Sequence, residues 1–302
     1  MDQTGLHSDP TSVVVDGVGI VYDTFGEPSA PPMLLIAGLG VQMIDWDEAF
    51  CWELAARGYW VIRFDNRDVG LSTKLDEAGV PNVPALMQAQ MQGGAIKSPY
   101  LLRDMAADAA GLLDAIHVES AHVVGVSMGG MIAQELVLRH AECVRTLTSI
   151  MSTTGNPGLP LPKPEAMAIL LETPPADRRG YIESSVRVSQ VLGAGLPYDE
   201  VSVRDRAGRS FDRGLSPAGT ARQLAAVLAS GSRKEALKSV TVPTLVIHGD
   251  ADPLVPVAGG IDTADAIPGA KLMIIKGMGH ALPPAVWPQV IEAIADHAEC
   301  KK

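Results

Sequence analysis

The chain of 302 residues sets 24 lysines and arginines against 35 aspartates and glutamates, a formal charge of −11 at neutral pH. That sign repels phosphate backbones, and an aromatic content of 4 % leaves few rings on which bases can stack, so nucleic acid is excluded as the main partner. Hydrophobic residues at 47 % supply enough material for a sizeable core and exclude a disordered chain.

No apolar stretch is long enough for a membrane span; the longest, residues 33–44, is broken by Gly38, Gly40 and Gln42. Residues 1–10 contain acids and lack a basic start followed by an apolar run, so no secretory signal is expected. Cys51, Cys143 and Cys300 are odd in number and widely spaced, which argues against a disulfide framework or a zinc ribbon. The expectation is a cytoplasmic enzyme or small-molecule binder.

Short β-branched runs alternate with longer helical patterns, which predicts a mostly parallel eight-stranded sheet covered by helices. Residues 12–15 and 19–25 read as an opening hairpin around Asp16-Gly17. Residues 33–37 form a continuous apolar run ending at Gly38, a buried strand, and residues 59–64 and 122–126 are of the same kind. Between these lie helices over residues 46–57 and 101–116, the second with an apolar stripe through Leu102, Met105, Ala109, Leu112, Leu113 and Ile116. A helix over 128–139 follows the strand ending at Val126 almost without a linker. Strands over 144–150, 244–248 and 272–275 complete the sheet, and a helix over 283–295 closes the chain with proline at its start.

The βα alternation lapses between residues 152 and 239. That stretch opens proline-rich and then reads as helices, one of them beginning at Ser216-Pro217 as N-cap and first turn and ending before Gly231. An all-helical insertion after the sixth strand lies over the carboxyl ends of the strands, where open α/β sheets place their sites. The expected division is therefore a core of residues 1–151 and 240–302 with a helical cap of residues 152–239.

The sharpest motif is Gly125-Val126-Ser127-Met128-Gly129, a G-x-S-x-G between a strand and a helix. A bare match is weak, but this context is the one a nucleophile elbow requires: a tight strained turn that lifts the serine hydroxyl above the sheet and aims the helix N-terminus at the reacting carbonyl. A serine hydroxyl needs a base within hydrogen-bond reach. Of seven histidines, His7 is near the terminus, His117 and His122 flank the amino end of the fifth strand, His140 closes the helix after Ser127, and His297 lies in the last helix. His280, in the loop Gly277-Met278-Gly279-His280 after the last strand, is on the serine's side and is the candidate base. The imidazole in turn needs an anion to fix its tautomer. The loop His248-Gly249-Asp250-Ala251-Asp252-Pro253 offers two; Asp252 lies deeper in it, while Asp250 is expected to cap the turn through its own backbone. Donors for a developing oxyanion are expected from the backbone N–H groups of Met128 and of Leu39, in Ala37-Gly38-Leu39-Gly40. Gly38, Met43, Trp46, Met151 and Leu282 are candidates for lining the pocket, with core packing an equal reading for Trp46 and Met151.

Nearly the whole chain resembles the α/β-hydrolase superfamily. The matching pieces are the Ala37–Gly40 loop, Asp65-Asn66-Arg67-Asp68-Val69-Gly70-Leu71-Ser72, the Ser127 elbow, the Asp252 loop and Gly279-His280. The run from Arg63 to Ser72 and the ending Gly277-Met278-Gly279-His280-Ala281-Leu282-Pro283 are most similar to bacterial esterases related to aclacinomycin methylesterase. The resemblance implies the α/β-hydrolase fold and a serine ester hydrolase of small to medium esters with a helical cap, no cofactor and no metal. Ala37 stands where the family commonly carries histidine.

Rival chemistries are weaker. Dehalogenases and epoxide hydrolases on this architecture require aspartate at position 127, and no GxxxxGK[ST] or complete dinucleotide loop exists. A metal site built from His248, Asp250 and Asp252 lacks a second histidine at ligand spacing. Acyl transfer, perhydrolysis or lactone opening share the same three residues, and a non-catalytic ligand-binding relative normally loses one of them. Arginines 178, 179, 187, 204, 206, 209 and 213 in the cap read as a solvated face with ion pairs or as a clamp for an acidic substrate. Oligomeric state is not legible.

Overall fold

The computed structural model describes residues 6–300. The first hairpin joins β1 (Thr11–Val15) to β2 (Val18–Phe25) through Asp16 and Gly17, both at positive φ, the turn geometry that matches strand twist. β3 (Pro32–Ile36), α1 (Glu48–Ala56), β4 (Trp60–Phe64), α2 (Val83–Met91), α3 (Leu102–Ala115), β5 (Ala121–Val126), α4 (Met128–Arg139) and β6 (Val144–Ile150) follow. Then come α5 (Pro164–Leu170), α6 (Arg178–Leu192), α7 (Glu200–Arg213), α8 (Pro217–Ser230) and α9 (Lys234–Leu237) without an intervening strand. β7 (Thr244–Gly249), α10 (Ala258–Ala266), β8 (Lys271–Ile275) and α11 (Trp287–Glu299) end the fold.

The eight strands form one sheet in the order β1-β2-β4-β3-β5-β6-β7-β8. β1 and β2 are antiparallel to their neighbours, and all pairs from β4 to β8 are parallel. Because side chains alternate along a strand, β3 sends Leu34 and Ile36 to one face and Met33 and Leu35 to the other. One cluster is closed by α3 and α4 through Leu112, Leu113, Ile132 and Leu136. The opposite one is closed by α1 and α11 through Phe50, Leu54, Val290 and Ile294. A sheet covered on both faces explains why its central strands are uninterrupted apolar runs.

Element boundaries differ from the sequence reading at three helices. α1 starts at Glu48 because Asp47 caps it, its carboxylate accepting the Ala49 N–H at 2.8 Å, and a short 3-10 turn, Met43–Asp45, precedes it. The final helix starts at Trp287, after a 3-10 turn over Pro284–Val286, so that Pro288 rather than Pro283 occupies its first turn. α2 has no counterpart in the sequence reading: it buries no residue, so no apolar stripe marks it.

Within residues 152–239 the packing is of two kinds. α5, α6 and α7 associate with one another, and α7 touches the 3-10 turn Met43–Asp45. α8 instead packs against α2 and α3, and Ala226 and Leu237 join the cluster that α3 and α4 close. Ser216 caps α8 by accepting the Gly219 N–H, as its sequence position predicts. Among the described residues no helix is long and apolar enough to cross a membrane.

Candidate active site

Because β3 through β8 are parallel, the loops that leave β3, β5, β6, β7 and β8 all emerge at one edge of the sheet. Topology therefore gathers Leu39, Ser127, Met151, Asp252 and His280 from distant parts of the chain.

Ser127 sits at φ 54° and ψ −119°, a region that side chains rarely occupy, as the N-cap of α4. The surrounding backbone holds it there: the Ser127 N–H donates to Ile150 O at 2.9 Å, and the Ser152 hydroxyl donates to Ser127 O at 2.8 Å. The flanking glycines are required by close approach. A Cβ on Gly125 would meet Gly129 O at 2.2 Å, and one on Gly129 would meet Ile36 O at 2.1 Å. The strand–turn–helix unit closes so tightly only because both positions lack side chains.

His280 Nε2 lies 2.9 Å from Ser127 Oγ, and His280 Nδ1 lies 2.8 Å from Asp252 Oδ2. An ionised carboxylate only accepts, so the ring proton is on Nδ1 and donates to Asp252, leaving the Nε2 lone pair to face the serine hydroxyl. Asp252 is held in turn. Its Oδ1 accepts the Leu254 and Val255 N–H groups at 2.9 and 2.8 Å, and His248 Nε2 stands 3.5 Å from its Oδ2. Burial by itself raises the carboxyl's pKa, but the imidazoles of His248 and His280 beside it and the Val255 amide overcome it and hold Asp252 well below the usual carboxylate range.

Asp252 faces His280 as expected, but the turn cap expected of Asp250 also falls to it. Asp250 does not cap its own turn; its Oδ1 accepts the Gly277 N–H at 2.6 Å and ties the β7 loop to the His280 loop. The turn cap is Asp252 itself, through the Leu254 and Val255 amides. His248, Asp250 and Asp252 do not converge on a metal position: His248 Nε2 donates to Val255 O at 2.8 Å, and among the described residues no three metal-binding side chains are arranged around a common point.

Met128 begins α4, where the first amides have no partner within the helix, and its side chain is buried in the cluster that α3 and α4 close. Across from it, a Cβ built on Gly38 would lie 3.5 Å from Ser127 Cβ, so the Ala37–Gly40 loop runs directly beside the serine. Asn66 Nδ2 donates to Ala37 O at 3.1 Å, and Asp65 Oδ1 accepts the Met43 N–H at 2.7 Å, so this loop is tied to the one after β4. The remaining pocket candidates divide. Trp46 and Met151 are buried in the cluster with Ile150, Phe50 and Val286, Met43 is fully buried, and Leu282 is half-buried against the same cluster.

Six of the seven arginines singled out between residues 178 and 213 are paired. Arg178 pairs with Asp212, Arg187 with Glu172, Arg204 with Glu183 and Glu200, Arg206 with Asp45, Arg209 with Asp205 and Glu48, and Arg213 with Asp65. Ion pairs rather than an anion clamp account for these six, most of them at the surface and the Arg213–Asp65 pair partly buried. Sequence reasoning missed Ser152, Gln42 and Gln223, whose partners lie 25 to 183 residues away and carry no local signal.

The family described as the alpha/beta hydrolase fold matches residues 31–283. The chain belongs to this alpha/beta hydrolase family. It is 33 % identical to rhodomycin D methylesterase DauP of Streptomyces sp. (strain C5), over 95 % of this chain and 98 % of that protein. It is 32 % identical, at the same coverage, to rhodomycin D methylesterase DnrP of Streptomyces peucetius. Among solved structures, an esterase from Exiguobacterium antarcticum superposes with a TM-score of 0.75 at 20 % identity, covering 96 % of this chain and 99 % of that one. A meta-cleavage product hydrolase from Pseudomonas fluorescens IP01 gives 0.74 at 21 % identity, covering 97 % and 98 %. At those identities the two structures speak for the alpha/beta hydrolase fold alone. The methylesterase relatives and the fold together support ester hydrolysis.

Proposed function

We propose that this protein is a serine carboxylesterase of the alpha/beta hydrolase family that cleaves methyl and other small alkyl esters of carboxylic acids through an acyl-enzyme. The observation that carries the reading is His280 standing between Ser127 Oγ and Asp252 Oδ2 at hydrogen-bond distance on both sides. The methyl-ester preference rests on the two rhodomycin D methylesterases, aligned over almost the whole chain.

In this mechanism Ser127 Oγ attacks the ester carbonyl carbon as His280 Nε2 takes the hydroxyl proton. Asp252 stabilises the imidazolium without taking the proton itself. The carbonyl π electrons move onto oxygen, and the Leu39 and Met128 N–H groups bind that oxyanion. Collapse breaks the ester C–O bond, and Nε2–H protonates the departing alkoxide to the alcohol. Water then gives its proton to Nε2 and its oxygen to the acyl carbon; collapse releases the carboxylic acid and returns the proton to Ser127. No metal or cofactor enters these steps. Of residues 152–239, α5, α6 and α7 act as a cap over the site, a role supported by the His280 N–H donating to Leu192 O at the end of α6, at 2.7 Å, while α8 and α9 pack with the core.

The test is labelling by a fluorophosphonate followed by turnover of p-nitrophenyl esters and methyl esters of graded acyl size. Stoichiometric labelling at Ser127, with methanol and free acid as products, is the expected result. Unlabelled protein, or full turnover in Ser127→Ala, overturns the assignment.

A further inference from the structure

The loop expected to bind the oxyanion is held from outside by one side chain on α8. Gln223 is fully buried, and its amide makes a hydrogen bond from each end. Its Oε1 accepts the Gly40 N–H at 2.8 Å, and its Nε2 donates to Arg67 O at 2.8 Å. Gln223 thus bridges the loop after β3 to the loop after β4, which in turn reaches Ala37 O through Asn66. Gly40 is at φ 68°, and a Cβ there would meet Thr220, one turn before Gln223 on the same helix, at 2.8 Å. α8 itself cannot drift away from this contact. A Cβ on Gly219 would meet Asp68 O at 2.1 Å, and Arg222 grips Asp68 with two hydrogen bonds at 2.7 and 2.9 Å.

We propose that Gln223 is a positioning residue for ester cleavage: by fixing the Leu39–Gly40 peptide plane it aims the Leu39 N–H at the developing oxyanion. This rests on the reading of the site as an esterase. The physical reason is that Leu39 has only two soft backbone torsions. Fixing the peptide on its C-terminal side at Gly40, and the chain on its N-terminal side at Ala37, removes most of the freedom between them. An amide serves better here than a carboxylate or an ammonium, because the two targets are a donor and an acceptor and only an amide carries both. The interaction is worth little to a ground-state carbonyl, whose oxygen is not yet charged, and much to the transition state.

The experiment compares Gln223→Met, which keeps the volume and removes both hydrogen bonds, with Gln223→Glu, which keeps the acceptor facing Gly40. Active sites are counted by fluorophosphonate labelling taken to completion, so misfolded protein does not enter kcat. Loosening an oxyanion donor is expected to lower kcat per site about 10- to 100-fold in Gln223→Met with KM changed less than about 3-fold. Inhibition by an aryl trifluoromethyl ketone is expected to weaken in proportion, because Ser127 Oγ adds to the ketone carbon, its proton passing to His280, and the resulting hemiketal oxyanion occupies the oxyanion position. Gln223→Glu keeps the bond to Gly40 but loses the donor to Arg67 O, so it is expected to recover part of kcat relative to Gln223→Met.

Wild-type kcat and trifluoromethyl ketone inhibition in Gln223→Met overturn the proposal, as does a Gln223→Glu no better than Gln223→Met. If neither variant folds, amide hydrogen exchange in the wild type decides: Gly40 protected like a helix interior supports the bridge, and free exchange overturns it. Failure of the esterase reading looks different, since the wild type itself is then neither labelled nor active.

Discussion

Replacing Asp252 by asparagine separates the geometry of the acid from its charge. The two oxygens of Asp252 are not equivalent: Oδ1 accepts two backbone N–H groups and Oδ2 faces His280 Nδ1. The asparagine of Asp252→Asn keeps one acceptor, and turning its amino group toward Leu254 and Val255 would strand two donors, at about 1–3 kcal/mol each. The amino group therefore takes the Oδ2 position and donates to His280 Nδ1. That forces the other tautomer, with the proton on Nε2 pointing at Ser127 Oγ, where it cannot accept the hydroxyl proton. Loss of the base in this way is expected to cost about four orders of magnitude in kcat, equivalent to about 5.5 kcal/mol of barrier. The assay is p-nitrophenyl ester turnover at neutral pH, normalised to folded protein, with Asp250→Asn as the partner variant. Asp250 accepts one exposed amide, from Gly277, so its variant is expected to stay within about 3-fold of wild type. An Asp252→Asn enzyme within 10-fold of wild type, or an equal loss in Asp250→Asn, would refute the assignment of the orienting acid.

Stability should follow the same carboxylate. Asp252 has its folded-state pKa depressed, so the stability it contributes is complete above the ordinary carboxylate range and is lost as pH falls through the lower folded value. Urea midpoints measured from pH 7 down to pH 2 should fall less steeply in Asp252→Asn; identical acid slopes would count against this. At the elbow, Ser127→Ala keeps a strained positive φ while Ser127→Gly relieves it, so the glycine variant should melt above the alanine variant although both are inactive. Differential scanning calorimetry gives the order. In the buried cluster on α8, Arg222→Met removes the cation paired with Asp68, leaving its carboxylate only the Tyr100 hydroxyl and the Leu75 N–H, and should cost about 3 kcal/mol in urea unfolding. Adding Asp68→Asn should recover part of that loss, and strict additivity of the two would mean the pair is not coupled.

Most of the sheet was legible along the chain, because strands buried on both faces leave uninterrupted apolar runs that local reading detects. α2 was not, since a helix that buries nothing has no stripe to find. The same contrast holds at the site. Ser127 announces itself through glycines at two fixed positions, and the structure gives the reason: Gly125 and Gly129 stand against backbone carbonyls at distances no Cβ tolerates. His280 and Asp252 were inferable because parallel strands deliver their following loops to one edge.

What the order of residues could not determine is which atoms meet. Whether Asp250 or Asp252 faces the imidazole turns on the local path of one short loop, and the answer came with Asp252 also taking the turn-capping bonds expected of Asp250. The amide of Gln223 reaches Gly40 across 183 residues of chain, and Arg222 reaches Asp68 across 154. Hydrogen bonds between such distant groups depend on how α8 settles against two loops. That is decided by packing of the whole fold and leaves no periodic trace in sequence, whereas burial and backbone strain act residue by residue and do.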